Sequence, residues 1–156
     1  MTKKINGSWE WTDFAFLAAP LLLGIGVTRL VTPSVFEQCG NRPSIQPPGW
    51  AFGVAWTILY SLAGLALALA WRKDRNIGAP HMIALICALG YMIAWWVVFS
   101  NICYPMIAFW ALLIAVAGVA GATFLLWKSD NVISSLLLFP LIAWLIFASV
   151  LQYKSK

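Results

Sequence analysis

Five long apolar runs dominate the chain, over about 14–31, 50–71, 79–99, 103–127 and 132–153. Each holds about 18 to 25 residues. At 1.5 Å per residue, a helix of that length covers the roughly 30 Å hydrocarbon core of a bilayer. A transmembrane strand needs only about 9–11 residues and alternates apolar with polar positions. These runs do not alternate. Backbone groups in lipid find no water to bond to, so an isolated spanning segment has to satisfy them within itself, as a helix does. The expectation is an all-α integral membrane protein, a single domain over 1–156 built as a bundle of five transmembrane helices.

Charge supports the same conclusion. Only 10% of the residues are charged and 62% are apolar, whereas a soluble domain carries about 25% charged residues. The net charge of +5 could suggest nucleic acid in a soluble protein. Here Lys and Arg sit in the short gaps between runs, as anchors for phospholipid head groups do. The expected partner is therefore the lipid bilayer, and no nucleic acid. Six Lys and Arg on the side of the N-terminus against four on the other slightly favour a cytoplasmic N-terminus. Lys3 and Lys4 precede the first run, but no small-residue cleavage site precedes Arg29, so that run reads as a retained helix.

The gaps are short, with one exception. Arg72-Lys73-Asp74-Arg75 closes the second run, Asn101 and Ile102 make a tight hairpin, and Lys128-Ser129-Asp130-Asn131 leads into the fifth run. Between the first two runs lies a loop, 32–49, with four prolines. Such a segment cannot lie exposed in lipid. It has to fold over one end of the bundle, and long ordered loops tend to be functional. Pro47 and Pro48 fix φ and lack N–H, so they stiffen the loop and start the second helix.

The runs from Trp50 onward carry no Asp, Glu, Lys, Arg or His except near their ends. Ion-coupled transport, proton pumping and voltage sensing need such groups inside the membrane, so these are excluded. No nucleophile–base pair, zinc spacing or phosphate loop can be assembled, so no catalytic residue and no metal site is expected. Cys39, Cys87 and Cys103 are odd in number and scattered, and His81 is the lone histidine. Tryptophan is abundant instead, with ten in the chain. Trp9, Trp11, Trp50, Trp71 and Trp127 lie at run ends, where an interfacial belt forms. Trp56, Trp95, Trp96, Trp110 and Trp144 lie deeper, and a deep indole needs a partner for its N–H or a ligand to pack on. Trp95 and Phe99 are four apart and share a helix face, which turns Trp96 about 100° away, toward a neighbouring helix or lipid. A helix bundle with aromatic walls suits a flat apolar ligand. Gly64-x-x-x-Ala68 and Gly118-x-x-Gly121 permit close helix contact. The stripe Ala111, Ala115, Gly118, Ala122 fits packing within the bundle or a dimer seam.

One stretch carries a resemblance. Arg42-Pro43-x-x-x-Pro47-Pro48-x-Trp50-x-Phe52-x-x-x-Trp56-Thr57-x-Leu59-Tyr60 resembles the signature of the TspO/MBR family, the tryptophan-rich sensory and translocator proteins. A second block, Pro140-x-x-x-Trp144-x-x-Phe147-Ala148-x-x-Leu151, resembles that family's fifth helix. The resemblance implies five helices, a lid formed by the first loop, and a pocket for porphyrins and related tetrapyrroles, sterols and other flat hydrophobic ligands. It places Trp56 and Trp144 on the pocket wall. Tyr60, Phe147 and Ala148 belong to the same two blocks, and Trp50, Trp95 and Phe99 complete the candidate ligand set. Arg42, Pro43, Pro47 and Pro48 would frame the lid. The implied role is binding, translocation or sensing rather than catalysis, with no cofactor required and a porphyrin or haem-like molecule as ligand. Two alternatives stand beside it: an enzyme that oxidises porphyrin in light, and a regulatory membrane subunit without a small ligand. The resemblance further implies a homodimer, in a bacterial envelope membrane or in the mitochondrial outer membrane of a eukaryote. Leu151, Tyr153 and Lys154 fit a proposed sterol pattern, which is a weak one. The sequence also departs from the family pattern. Phe36-Glu37 replaces a Trp-Tyr pair, Ile45 replaces a loop tryptophan, Met92 an asparagine, Leu141 a tyrosine and Gln152 an asparagine. These mark a divergent member.

Overall fold

A computed structural model describes residues 8–30, 44–101 and 105–154, and within these the side chains other than 28–30, 97–101 and 105. Most of the loop, including Arg42 and Pro43, and the side chain of Phe99 lie outside the described residues. The elements are helices: α1 (Trp11–Leu30), α2 (Gly49–Asp74), α3 (Pro80–Asn101), α4 (Pro105–Lys128), α5 (Val132–Leu137) and α6 (Phe139–Lys154). No strand occurs among the described residues. Three stretches are long and apolar enough to cross a membrane: Gly49–Asp74, Met106–Lys128 and Val132–Lys154, of 26, 23 and 23 residues.

The fifth apolar run is thus two helices on one line. Pro140 has no N–H to give the Leu136 carbonyl, so the ladder breaks there. Leu138 fills the break in a helical conformation, and its N–H bonds the Ser135 carbonyl at 3.2 Å. The end of α4 closes as a Schellman turn. Asn131 N–H reaches the Leu126 carbonyl at 2.9 Å, Asp130 N–H reaches Trp127 at 3.1 Å, and Asp130 takes the left-handed φ of 59°. Pro48 precedes the first residue of α2, as a proline that needs no N–H partner should.

Packing rests on small residues. Ala63, Ala66, Ala68 and Ala70 of α2 are fully buried. Gly64 meets the Leu17 carbonyl of α1 so closely that a Cβ would overlap it. On α4, Ala115 and Ala122 are buried in the core, which is packing within the bundle, while Gly121 faces open space. α1 packs chiefly on α2, α3 on α4, and α4 on α5 and α6.

One end of the bundle is tied by charge. Helix α1 starts earlier than its apolar run, because Asp13 turns back to accept the Glu10 N–H at 2.9 Å, a capping-box arrangement. Asp13 is fully buried and takes Arg72 Nη1 at 3.1 Å and Arg75 Nη2 at 3.2 Å. Arg75 also meets Glu10 at 3.0 Å, and Arg72 lies over the Trp9 ring at 4.5 Å. His81 Nε2 of α3 lies 2.7 Å from Asp74, and Lys73 Nζ donates to the Ser129 carbonyl beyond α4 at 3.0 Å. The start of α1, the end of α2, the start of α3 and the end of α4 therefore meet at one end of the bundle.

Candidate ligand site

The opposite half of the bundle is lined with rings. Phe52, Trp56 and Tyr60 recur every four residues along α2, so one helix face carries all three. Trp56 and Tyr60 stack at 5.3 Å with planes 25° apart. Trp144 of α6 presents its edge to Trp56 at 6.3 Å and 82°, and to Phe52 at 5.7 Å and 74°. Phe147, three residues on, sits 5.5 Å from Trp144. Trp56 is the joint of the array, with one face on Tyr60 and its flank on Trp144.

A cleft opens beside it, lined by α2 through Trp56 and Tyr60, by α3 through Met92, Ile93, Trp95 and Trp96, and by α1 through Gly24 and Val27. Its empty space, counted to the mouth, is about 310 Å³, but the enclosed cavity is only about 20 Å³. That is room for about one water. Gly24 is what lets α1 close this cleft, since a Cβ there would lie 2.6 Å from the Tyr60 ring.

Two of the deep tryptophans, Trp95 and Trp144, differ in what they have left to offer. Trp95 Nε1 donates to the Ala108 carbonyl of α4 at 3.3 Å, and Tyr91 Oη one turn earlier donates to Ala111 at 3.1 Å. Trp95 therefore presents a ring to the cleft while its N–H secures α3 to α4. Trp144 Nε1 is buried and finds no hydrogen-bond partner among the described residues. A buried donor without an acceptor costs about 1–3 kcal/mol. Trp144 does not itself line the cleft; it joins the cleft wall through its edge contact with Trp56.

The other candidates are placed as follows. Ala148 packs against the core beside Trp144. Trp50 is 73% exposed and does not line the cleft. Pro47 is half-buried and Pro48 exposed ahead of α2. Leu151 is buried while Tyr153 is exposed and leans on Phe109 of α4 at 5.5 Å, so the sterol pattern is not one continuous face. Trp96, expected to turn away, reaches the cleft alongside Trp95, with ring centres 5.9 Å apart. Phe52 is part of the loop-and-helix signature, and its four-residue spacing from Trp56 is the signal that places it. Gly24, Val27 and Met92 carry no such signal, because their place depends on how α1 and α3 are rotated against α2. No group of His, Cys, Asp and Glu able to hold a metal occurs among the described residues. Cys87 is free and exposed.

Comparison with known proteins gives a consistent result. The sequence model described as the TspO/MBR family matches residues 16–155. The human "Translocator protein" is 32% identical over 121 residues, covering 72% of this chain and 68% of its own length. The "Tryptophan-rich protein TspO" of Archaeoglobus fulgidus is 29% identical over 142 residues, covering 89% and 91%. The "Translocator protein homolog" of Schizosaccharomyces pombe is 33% identical over 137 residues, covering 85% and 83%.

Proposed function

The chain belongs to the TspO/MBR family, and on that premise we propose that it binds porphyrins and other flat hydrophobic ligands, sterols among them, within the membrane. Binding serves their translocation or a sensory, regulatory response. The protein is multi-pass in this reading, in a bacterial envelope or the mitochondrial outer membrane, with lipid and a second copy of the chain as neighbours. Its relatives' printed names, translocator and tryptophan-rich protein, fit such a role. The observation that carries it is Trp56, whose ring joins Tyr60 to Trp144, beside an indole N–H with no partner among the described residues. Large flat rings gain most from offset and edge contacts with other rings, about 0.5–1.5 kcal/mol per pair beyond the area buried. The unspent Trp144 N–H adds a hydrogen bond to a carbonyl, carboxylate or ring nitrogen. A cavity of about 20 Å³ holds no tetrapyrrole, so the ligand enters as the walls part.

The test is titration of the full chain in mild detergent with protoporphyrin IX, followed by tryptophan quenching. Saturable binding is expected, and Trp56→Ala with Trp144→Ala should weaken it by roughly tenfold or more, the loss of two ring contacts. Saturable binding that survives the double substitution would remove the site from these rings. Absence of any saturable binding would remove the porphyrin reading itself.

A further inference from the structure

The two halves of α1 are held very differently. Its first half is fixed at three points. Asp13 is fully buried between Arg72 and Arg75, the Phe16 ring packs on Trp71 at 5.0 Å, and Leu17 lies against Gly64 with no space between. Trp71 Nε1 also donates to Thr12 Oγ1 at 3.4 Å. Past Pro20 this changes. Pro20 has no N–H for the Phe16 carbonyl, which removes one rung of the helix in mid-course. Gly24 and Gly26 follow, each costing the helix about 1 kcal/mol against alanine. Leu22, Leu23 and Ile25 point outward, and Gly26 has nothing within 4 Å of where a Cβ would sit. Among the described residues, the inward contacts of this half include Leu21 against the core just past Pro20, Gly24 on the Tyr60 ring and Val27 on the cleft wall.

From this asymmetry we infer that residues 21–27 of α1 are a gate, pivoting at Pro20 on the ion-paired first half and opening the cleft sideways toward the lipid. Tyr60 cannot be the moving part, because its ring is stacked under Trp56 and buried in the core. When the gate swings, Gly24 leaves the Tyr60 ring and the cleft is exposed along the gap between α1 and the wall formed by α2 and α3. The direction suits a ligand dissolved in the bilayer. The inference rests on the cleft being the ligand's place, but the motion is measured without any ligand.

The experiment uses the full chain in lipid nanodiscs, with Cys39, Cys87 and Cys103 changed to Ser. Spin labels at Ile25→Cys and Ala94→Cys report the distance across the gate. Labels at Phe14→Cys and Ile83→Cys report the anchored end. The gate pair should show a broad or two-peaked distance distribution and the anchored pair a single narrow one. Pro20→Ala restores the missing rung and should narrow the gate pair alone. Gly24→Ala wedges against Tyr60 and should shift the gate pair to the longer distance. Asp13→Asn should broaden the anchored pair. A narrow gate distribution in the parent, or one unchanged by both Pro20→Ala and Gly24→Ala, overturns the gate. In a second arm, stopped-flow quenching by protoporphyrin IX should show association slowed several-fold by Pro20→Ala. An unchanged association rate in a variant whose gate has narrowed would overturn the gate as the entry route. No quenching even in the parent would count against porphyrin binding, and the measured distances alone would then uphold or overturn the gate.

Discussion

The two ends of this bundle are held together by opposite means. At one end a buried carboxylate, two arginines and a His–Asp contact join four helix termini through charged contacts of 2.7 to 3.2 Å. At the other, rings meet rings, and one indole N–H is left without an acceptor among the described residues. Ion pairs in low dielectric are directional and fail badly when one partner is lost. Ring contacts are individually weak, tolerate sliding, and can be exchanged for contacts with another flat molecule. A protein that must open for a ligand and still stay assembled benefits from keeping these two kinds of contact apart.

The largest effect should come from breaking the charged end. Asp13→Ala leaves Arg72, 9% exposed, and Arg75, 23% exposed, facing a void. Removing one member of a buried pair costs about 3–5 kcal/mol. Thermal unfolding in detergent should show the midpoint falling steeply, while protoporphyrin affinity of the remaining folded protein changes little. Equal losses in both would mean that the two ends are not separable. Next comes the seam between them. Gly64→Ala puts a methyl into the Leu17 carbonyl, an overpacking worth about 1–3 kcal/mol. The same melting measurement should rank it below Asp13→Ala.

Much of this is legible in the sequence, for reasons that differ by residue. The helices follow from run length and missing charge, and Pro48 marks where α2 starts. The break at Leu138 is written in Pro140, but hydropathy alone passes over it, since hydropathy ignores a missing N–H. Asp13 is hidden for a related reason. The first apolar run begins at Phe14 because charge stops there, yet the helix begins at Trp11. Its signal is the spacing Glu10–Asp13, a capping pair, matched by Arg72 in the last turn of the second helix and Arg75 at its C-cap. At the aromatic end, Phe52, Trp56 and Tyr60 are readable from spacing within one helix. Trp96 is not, because its direction relative to Trp95 does not say what each one meets. Two residues 100° apart both reach a cleft that lies between helices, and only the rotation of α3 against α1 and α2 settles that.

The smaller effects separate tryptophans that composition treats as equal. Trp95→Phe keeps a ring on the cleft but abandons the Ala108 carbonyl. A net loss of about 1 kcal/mol of stability is expected, the usual worth of one such bond, with protoporphyrin affinity nearly unchanged. A large fall in affinity would place the Trp95 N–H in ligand binding instead of helix packing.

The last substitution inverts that pattern. Trp144→Phe deletes the donor that has no partner among the described residues. Phenylalanine loses some ring area, but it also removes the cost of a buried, unbonded N–H, so stability should change by no more than about 1 kcal/mol. A ligand that accepts from Trp144 would bind roughly two- to tenfold more weakly, the net worth of one hydrogen bond. A flat hydrocarbon without acceptors, such as pyrene, should bind the variant and the parent alike. If porphyrin and pyrene fall together, Trp144 acts through its ring alone, and the aromatic end selects shape without reading polarity. If porphyrin alone falls, the unpaired N–H is the feature by which that end distinguishes its ligand from lipid.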